Sequence, residues 1–189
     1  MKQVKTIAIV GGGELAKQIQ QSAEDNYNKV DIIPHSEFDI TSQSQCDDIV
    51  PKLSEYDAVI ITAGNYSDDL WQMALINTVG PCYLIAKLNE TAVDQRIIAV
   101  SSHGSSWTSW PEIPTFKLSY NINKLALNEF CKGLVQQGTS TNKITVFEPS
   151  KFKSKMGNYL GAEIRDMAWQ VLEVVNSPMH IVHVIVKDL

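Results

Sequence analysis

Apolar residues fall into two kinds of run along this chain, and the two kinds alternate. Short runs over Thr6 to Val10, Val30 to Ile33, Asp57 to Thr62, Arg96 to Val100 and Ile144 to Phe147 place β-branched and aliphatic side chains on consecutive positions. That is the pattern of strands covered on both faces. Between them the apolar positions recur every three or four residues, as in Leu15, Ile19 and Ala23, or Leu118, Ile122, Leu125, Phe130 and Leu134, which is helical spacing. No proline stands between Phe116 and Gly138, so the latter set reads as one unbroken helix stopped by the glycine. Further helices are expected over residues 42–56, with Pro51 near the last turn, from about Asp68 to Leu88, and from Ala162 to Val175. The second of these should bend at Gly80-Pro81, where proline removes an amide donor. A last strand is expected from His180 to Val186. The alternation predicts an α/β chain, a Rossmann-like doubly wound parallel sheet of about six strands with helices on both faces. At 189 residues the whole of 1–189 should form a single domain.

Composition narrows the function classes. Hydrophobic content of 44% and charged content of 20% are those of an ordinary globular chain. A net charge of −5 disfavours a broad nucleic-acid or anionic-membrane surface, so neither partner is expected. The opening MKQVKTIAIVGGG has too short an apolar run for a signal core or a membrane span, which points to a cytoplasmic protein. Cys46, Cys82 and Cys131 are scattered and odd in number, as expected for reduced thiols. His180 and His183, three apart on a strand, should face opposite ways, and no metal is expected.

Three stretches carry candidate chemistry. After the first strand, Gly11-x-Gly13-x-x-Ala16 fits a dinucleotide-binding turn: one glycine for the bend, one for close approach of a pyrophosphate, and a small residue for helix packing. The helix that follows would aim its N-terminus at the phosphates. The fourth strand runs into Ser101-Ser102-His103-Gly104, at the edge where strand ends deliver residues to a ligand. Tyr120 and Lys124, four apart, share one helix face, so the ammonium should favour the phenolate and lower the tyrosine pKa. Trp107, Trp110 and Phe116, between the serines and the tyrosine, suggest either an apolar substrate wall or a cover for the sheet edge.

Taken in order, these stretches resemble the short-chain dehydrogenase/reductase family over nearly the whole chain. Ser102 with Tyr120 and Lys124 resembles the family's catalytic set; Ile61 to Gly64 resembles its strand-end alanine-glycine motif; Asn77-Thr78-Val79-Gly80 its N-x-x-G helix; Asp39-Ile40-Thr41 its adenine-contacting segment; and Pro149 to Ser154 its segment after the fifth strand. Ser150 stands where the family has glycine, the glycine turn is one residue shorter than usual, and the region after the second strand lacks a helix and a strand.

The resemblance implies an NAD(P)-dependent oxidoreductase that interconverts a small-molecule carbonyl and alcohol. It implies Tyr120 as general acid/base, Lys124 as its electrostatic partner and ribose ligand, Ser102 as hydrogen-bond donor to the substrate oxygen, and Asn77 as holder of a water that links Lys124 to solvent. The cofactor would lie against Gly11, Gly13, Glu14, Leu15, His35, Ser36, Asp39, Ile40, Ala63, Gly64, Tyr120, Lys124, Pro149 and Ser154. At the end of the second strand Pro34, His35 and Ser36 include neither a repelling acid nor an arginine, a setting that inclines toward NADP over NAD, while Glu14 inclines the other way. A homodimer or homotetramer is implied, packed through the Asn77 and Tyr120 helices, with Leu127, Phe130, Cys131 and Leu134 offering apolar surface. The alternative is a non-catalytic dinucleotide sensor or interaction protein of the same fold.

Overall fold

The computed structural model describes residues 3–106, 115–138, 141–156, 158–177 and 182–186. Its elements follow in the order β1 (Thr6–Val10), α1 (Glu14–Ala23), β2 (Lys29–Ile33), α2 (Gln43–Leu53), β3 (Ala58–Ile61), α3 (Leu70–Ala74), a π-helical turn (Leu75–Val79), α4 (Gly80–Thr91), β4 (Arg96–Val100), a 3₁₀ turn (His103–Ser106), α5 (Thr115–Gln136), β5 (Lys143–Glu148), α6 (Ile164–Asn176) and β6 (His183–Ile185). The strands form one six-stranded sheet in the order β2-β1-β3-β4-β5-β6, and every pairing is parallel. The chain leaves β1 toward one edge and returns to the other side of it at β3. This reversal is the topological switch point of a doubly wound sheet, outside whose strand C-termini ligands bind.

The consecutive apolar positions of each strand divide between two cores. Ala8, Val10, Val59, Ile61, Ile97, Ala99, Ile144 and Val146 face α2, α4 and α5, where Val50, Leu53, Leu84, Leu88, Leu127 and Cys131 meet them. Ile7, Ile9, Ala58, Ile60, Ile98, Val100 and Phe147 face Ala16 and Ile19 of α1 and Met167, Val171 and Val175 of α6. Burial on both faces is why these strands read as continuous hydrophobic runs. Helix starts follow local chemistry: Ser42 caps α2 by accepting from the Gln45 amide, and Asp69 caps α3 by accepting from the Gln72 amide at 2.9 Å.

At the position of the expected bend, a π-helical turn directly precedes Gly80-Pro81. The Gly80 amide reaches back to Leu75 O, so the ladder skips a residue and Pro81 enters near the N-terminus of α4, where its missing donor costs little. Gly80 has a second constraint. A Cβ there would lie 2.3 Å from Ile40 O, so only glycine allows the helix to cross the Asp39-Ile40-Thr41 segment. The last strand is shorter than expected, His183–Ile185, and residues 178–181 lie outside the described residues.

Candidate active site

Parallel strands bring all their C-termini to one edge of the sheet, and the candidate residues gather there. Gly11 follows β1 at φ +120, a conformation suited to glycine, and a Cβ on it would lie 2.6 Å from Thr62 Oγ1. Gly13 is the N-cap of α1, supplies no side-chain cap, and has open space where its Cβ would be. Ala16 is fully buried against the sheet. The turn therefore has the three features a pyrophosphate cradle requires: a forced bend, an open backbone approach, and a helix N-terminus whose amides have no side-chain partner. Leu15 is buried beneath it, so any contribution it makes is through its amide. The exposed Glu14 carboxylate accepts from the Lys155 amide at 2.7 Å and ties the segment after β5 to this turn.

At the end of β3, Ala63 and Gly64 lead into Asn65 and Tyr66. Gly64 leaves a narrow space, since a Cβ on it would lie 3.3 Å from Asn77 Oδ1 and 3.6 Å from Lys124 Nζ. Asn77, from the middle of the π-helical turn, is fully buried. It accepts from the Asn65 amide at 3.0 Å and donates to the Asn65 carbonyl at 2.7 Å. Its amide thus clamps the loop after β3.

Lys124 is buried on α5, and its ammonium donates to Val100 O at the end of β4 at 3.0 Å. Burial lowers its pKa from the ordinary 10.5 to about 8. The Tyr120 ring meets Tyr66 edge-on, with centroids 5.2 Å apart. Tyr66 packs edge-on against Phe116 in turn, at 5.3 Å.

The phenol departs from the expectation of a lowered pKa. Tyr120 is half-buried, and its burial pushes the phenol up to about 12 against the lowering by Ser102. Lys124 does not reverse the balance, because its ammonium is directed to Val100 O. Of the two adjacent serines, the buried Ser101 turns to the helix, its hydroxyl 3.4 Å from Lys124 O, whereas the Ser102 hydroxyl lies 3.4 Å from the Gly104 amide.

The remaining candidates ring this centre. His35 and Ser36 follow β2 and border an open recess of about 660 Å³ with Glu37, Asp39 and Asp48. The Asp39 carboxylate accepts from the Thr41 amide at 2.9 Å and the Thr41 hydroxyl at 2.8 Å, so it shapes its own turn, while Ile40 packs into the core beneath Gly80. Pro149 and Ser154 are buried after β5, and the Ser150 hydroxyl between them is buried with no partner among the described residues. An orphaned buried hydroxyl in this segment fits a bound polar group.

Trp107, Trp110 and His180 lie outside the described residues. Among those described, no three His, Cys, Asp or Glu side chains are grouped to hold a metal, no helix is long and apolar enough to cross a membrane, and Cys46, Cys82 and Cys131 are free thiols.

Sequence reasoning passed over Tyr66 and Asn65. Tyr66 follows the Ala63-Gly64 pair by two residues, so position alone put it at the ligand edge, but an isolated tyrosine in a loop carries no spacing signal. The apolar set proposed for subunit contact needs correction: Leu127 and Cys131 are core residues, and Phe130 and Leu134 are partly buried against the same core.

The sheet order and the glycine turn define a Rossmann-like doubly wound fold. Within that class, it is the fold of the short-chain dehydrogenases. A short-chain dehydrogenase from Burkholderia cenocepacia in complex with NADP aligns with 97% of this chain and 89% of its own, at a TM-score of 0.79 and 16% identity. A putatively assigned short-chain dehydrogenase/reductase from Burkholderia multivorans with bound NADP aligns with 98% of each chain at 0.78 and 16% identity. A protein from Listeria innocua covers 97% of this chain and 100% of its own at 0.81, with 13% identity. No protein-family model matches the chain, and no curated protein sequence matches it.

Proposed function

We propose that the protein is an NADP-dependent oxidoreductase that reduces a small carbonyl compound to an alcohol with Ser102, Tyr120 and Lys124. The observation that supports this reading is that Ser102 follows β4 at the edge of the sheet where Lys124 of α5, one turn on from Tyr120, is buried beside Gly64 and Val100. Gly11, Gly13 and the amides of Glu14 and Leu15 would hold the pyrophosphate. Ala63, Gly64, Pro149, Ser150 and Ser154 would line the nicotinamide end, and the bound nicotinamide would supply the hydride. Several structural relatives carry NADP or NADPH, which supports the choice of cofactor. His35 and Ser36 would take the 2′-phosphate, against the acids Glu37 and Asp48 at the same recess. Discrimination between NADPH and NADH should therefore be modest.

The proton chemistry belongs to this chain. A phenol held near 12 is protonated throughout the neutral range, so Tyr120 is set to donate its proton to a carbonyl oxygen rather than to accept one. Ser102 would donate to the same oxygen, where negative charge develops in the transition state. Lys124 keeps its charge at neutral pH and would stabilise the phenolate left behind. Asn77 holds the loop that carries Tyr66 against the site. The reading includes a cytosolic setting and a homodimer or homotetramer joined near Trp71, Val79 and Ile122, all exposed apolar residues of α3, the π-helical turn and α5.

The test is a panel of aldehydes and ketones offered with NADPH and NADH, followed at the nicotinamide absorbance band. Reduction of at least one carbonyl with NADPH supports the proposal. Binding of NADPH without turnover of any would favour the sensor reading, and failure to bind either cofactor would remove both.

A further inference from the structure

The chain between β5 and α6 folds back on itself at a narrow neck. Ala162 donates to Lys151 O at 3.0 Å, Lys153 donates to Ala162 O at 2.9 Å, and Phe152 and Ala162, paired as an isolated parallel bridge, pack against the core shared with α1 and α6. Gly161 makes the neck possible, because its φ is +110 and a Cβ on it would collide with Lys151 O. Beyond the neck, the Tyr159 amide donates to Ser154 O at 2.8 Å and the Asn158 amide to Lys155 O at 3.2 Å. These bonds join Lys151 through Lys155 into one body.

Two further bonds set where that body sits. At its start the His103 amide, next to Ser102, donates to Pro149 O at 3.1 Å; at its far end the Lys155 amide donates to the carboxylate of Glu14, the first residue of α1, at 2.7 Å. The segment therefore runs from the turn after β4 to the glycine turn after β1, and the buried Ser150 and Ser154 lie between its two fastenings. A dinucleotide with its pyrophosphate on Gly11 and Gly13 has to cover the same span to bring its nicotinamide beside Ser102. As a charge alone, a carboxylate at the mouth of a phosphate turn is a disadvantage, since it repels the pyrophosphate and competes for the positive end of α1. The Lys155 bond gives it a use. A charged acceptor holds an amide more firmly than a neutral one, and a segment already ordered needs no ordering when the ligand binds.

We propose that Glu14 is a positioning residue for the nicotinamide end of the cofactor: its carboxylate, through the Lys155 amide, holds Ser150 and Ser154 where that half of the dinucleotide lies. This rests on the reading of the edge as a dinucleotide site.

The experiment uses the full chain, Glu14→Ala, which removes the acceptor, and Glu14→Gln, which keeps an acceptor oxygen without the charge. Glu14 is exposed, so both variants should fold. Hydrogen exchange of the Lys155 amide, followed by NMR without ligand, should quicken about 5-fold in Glu14→Ala, the factor carried by one hydrogen bond of ordinary net strength, and stay near its original rate in Glu14→Gln. NADPH and 2′-phospho-ADP-ribose, which lacks the nicotinamide, are then titrated into the three proteins. Both substitutions remove a negative charge beside the pyrophosphate, so both should tighten 2′-phospho-ADP-ribose to a similar degree. The ratio of NADPH affinity to 2′-phospho-ADP-ribose affinity should match that of the unmodified protein in Glu14→Gln and fall about 5-fold in Glu14→Ala. A Lys155 amide that exchanges alike in Glu14→Ala and the unmodified protein, or a ratio alike in all three proteins, would overturn the proposal, and Glu14 would then act on the cofactor through its charge alone. If the unmodified protein binds neither ligand, the dinucleotide reading falls and the proposal falls with it, a result separate from an unchanged ratio.

Discussion

Replacing Lys124 by methionine should stabilise the protein while destroying its proposed activity, and the size and pH dependence of the gain follow from where the ammonium sits. Burial holds the Lys124 pKa at about 8 against an ordinary 10.5. That gap corresponds to about 3 kcal/mol of folding free energy spent on keeping the charge inside. Methionine has a similar length and no charge, so it removes this cost, but it leaves Val100 O without the donor now 3.0 Å away, a loss of about 1–2 kcal/mol. The variant should therefore be more stable by about 1–2 kcal/mol at pH 7.

The sign of the pH dependence is fixed. Below pH 8 the folded and unfolded chains both carry the proton, and the folded one bears the full cost. Between 8 and 10.5 the unfolded chain still holds a proton the folded chain has released, so the stability of the unmodified protein rises with pH. By pH 10.5 the cost is nearly gone, and only the lost hydrogen bond separates the two proteins, now to the disadvantage of methionine. Urea unfolding at pH 7 and pH 10, compared at equal m-values, measures this directly. A stability difference between Lys124→Met and the unmodified protein that is the same at both pH values would refute the reasoning.

The same titration predicts an alkaline limit to activity. As Lys124 loses its proton around pH 8, the phenolate formed by Tyr120 loses its counter-charge, and kcat for carbonyl reduction should fall above that pH; a kcat flat to pH 10 would be inconsistent with the role of Lys124. Gly80→Ala should cost about 3 kcal/mol, because its methyl would stand 2.3 Å from Ile40 O and neither backbone has room to yield, and thermal unfolding would register it. Ile122→Glu places a charge on the exposed apolar surface proposed for subunit contact, and sedimentation should show it shifting the oligomer toward monomer with the fold retained.

Much of the fold was legible because its signals are local and repetitive. Strands such as Ala58–Ile61, buried on both faces, appear as unbroken apolar runs, and helices such as Thr115–Gln136 announce themselves by period and by the absence of proline. Site position was legible for a related reason: parallel strands deliver Gly11, Gly64, Ser102 and Pro149 to the same edge once their order is known. What the sequence did not disclose depends on where side-chain tips point. The spacing of Tyr120 and Lys124 put them on one face, yet the ammonium turns to Val100 O, and burial rather than the lysine governs the phenol. Leu127 and Cys131 looked like surplus apolar surface only because the depth of the core beneath α5 was unknown. The Asn77 clamp and the Glu14 tie join residues 12 and 141 positions apart, respectively, through backbone contacts that no periodicity encodes.

The central claim is that Tyr120 gives its proton to a carbonyl bound beside Ser102, and one comparison addresses it most directly. The unmodified protein and Tyr120→Phe are assayed at saturating NADPH with a carbonyl found in the panel, and NADPH affinity is measured for both. The substitution deletes one hydroxyl and leaves the ring packed against Tyr66, so NADPH should bind both proteins alike. Turnover should fall by ~10²–10⁴-fold or more, the range general acid catalysis supplies. Full turnover by Tyr120→Phe would contradict the account.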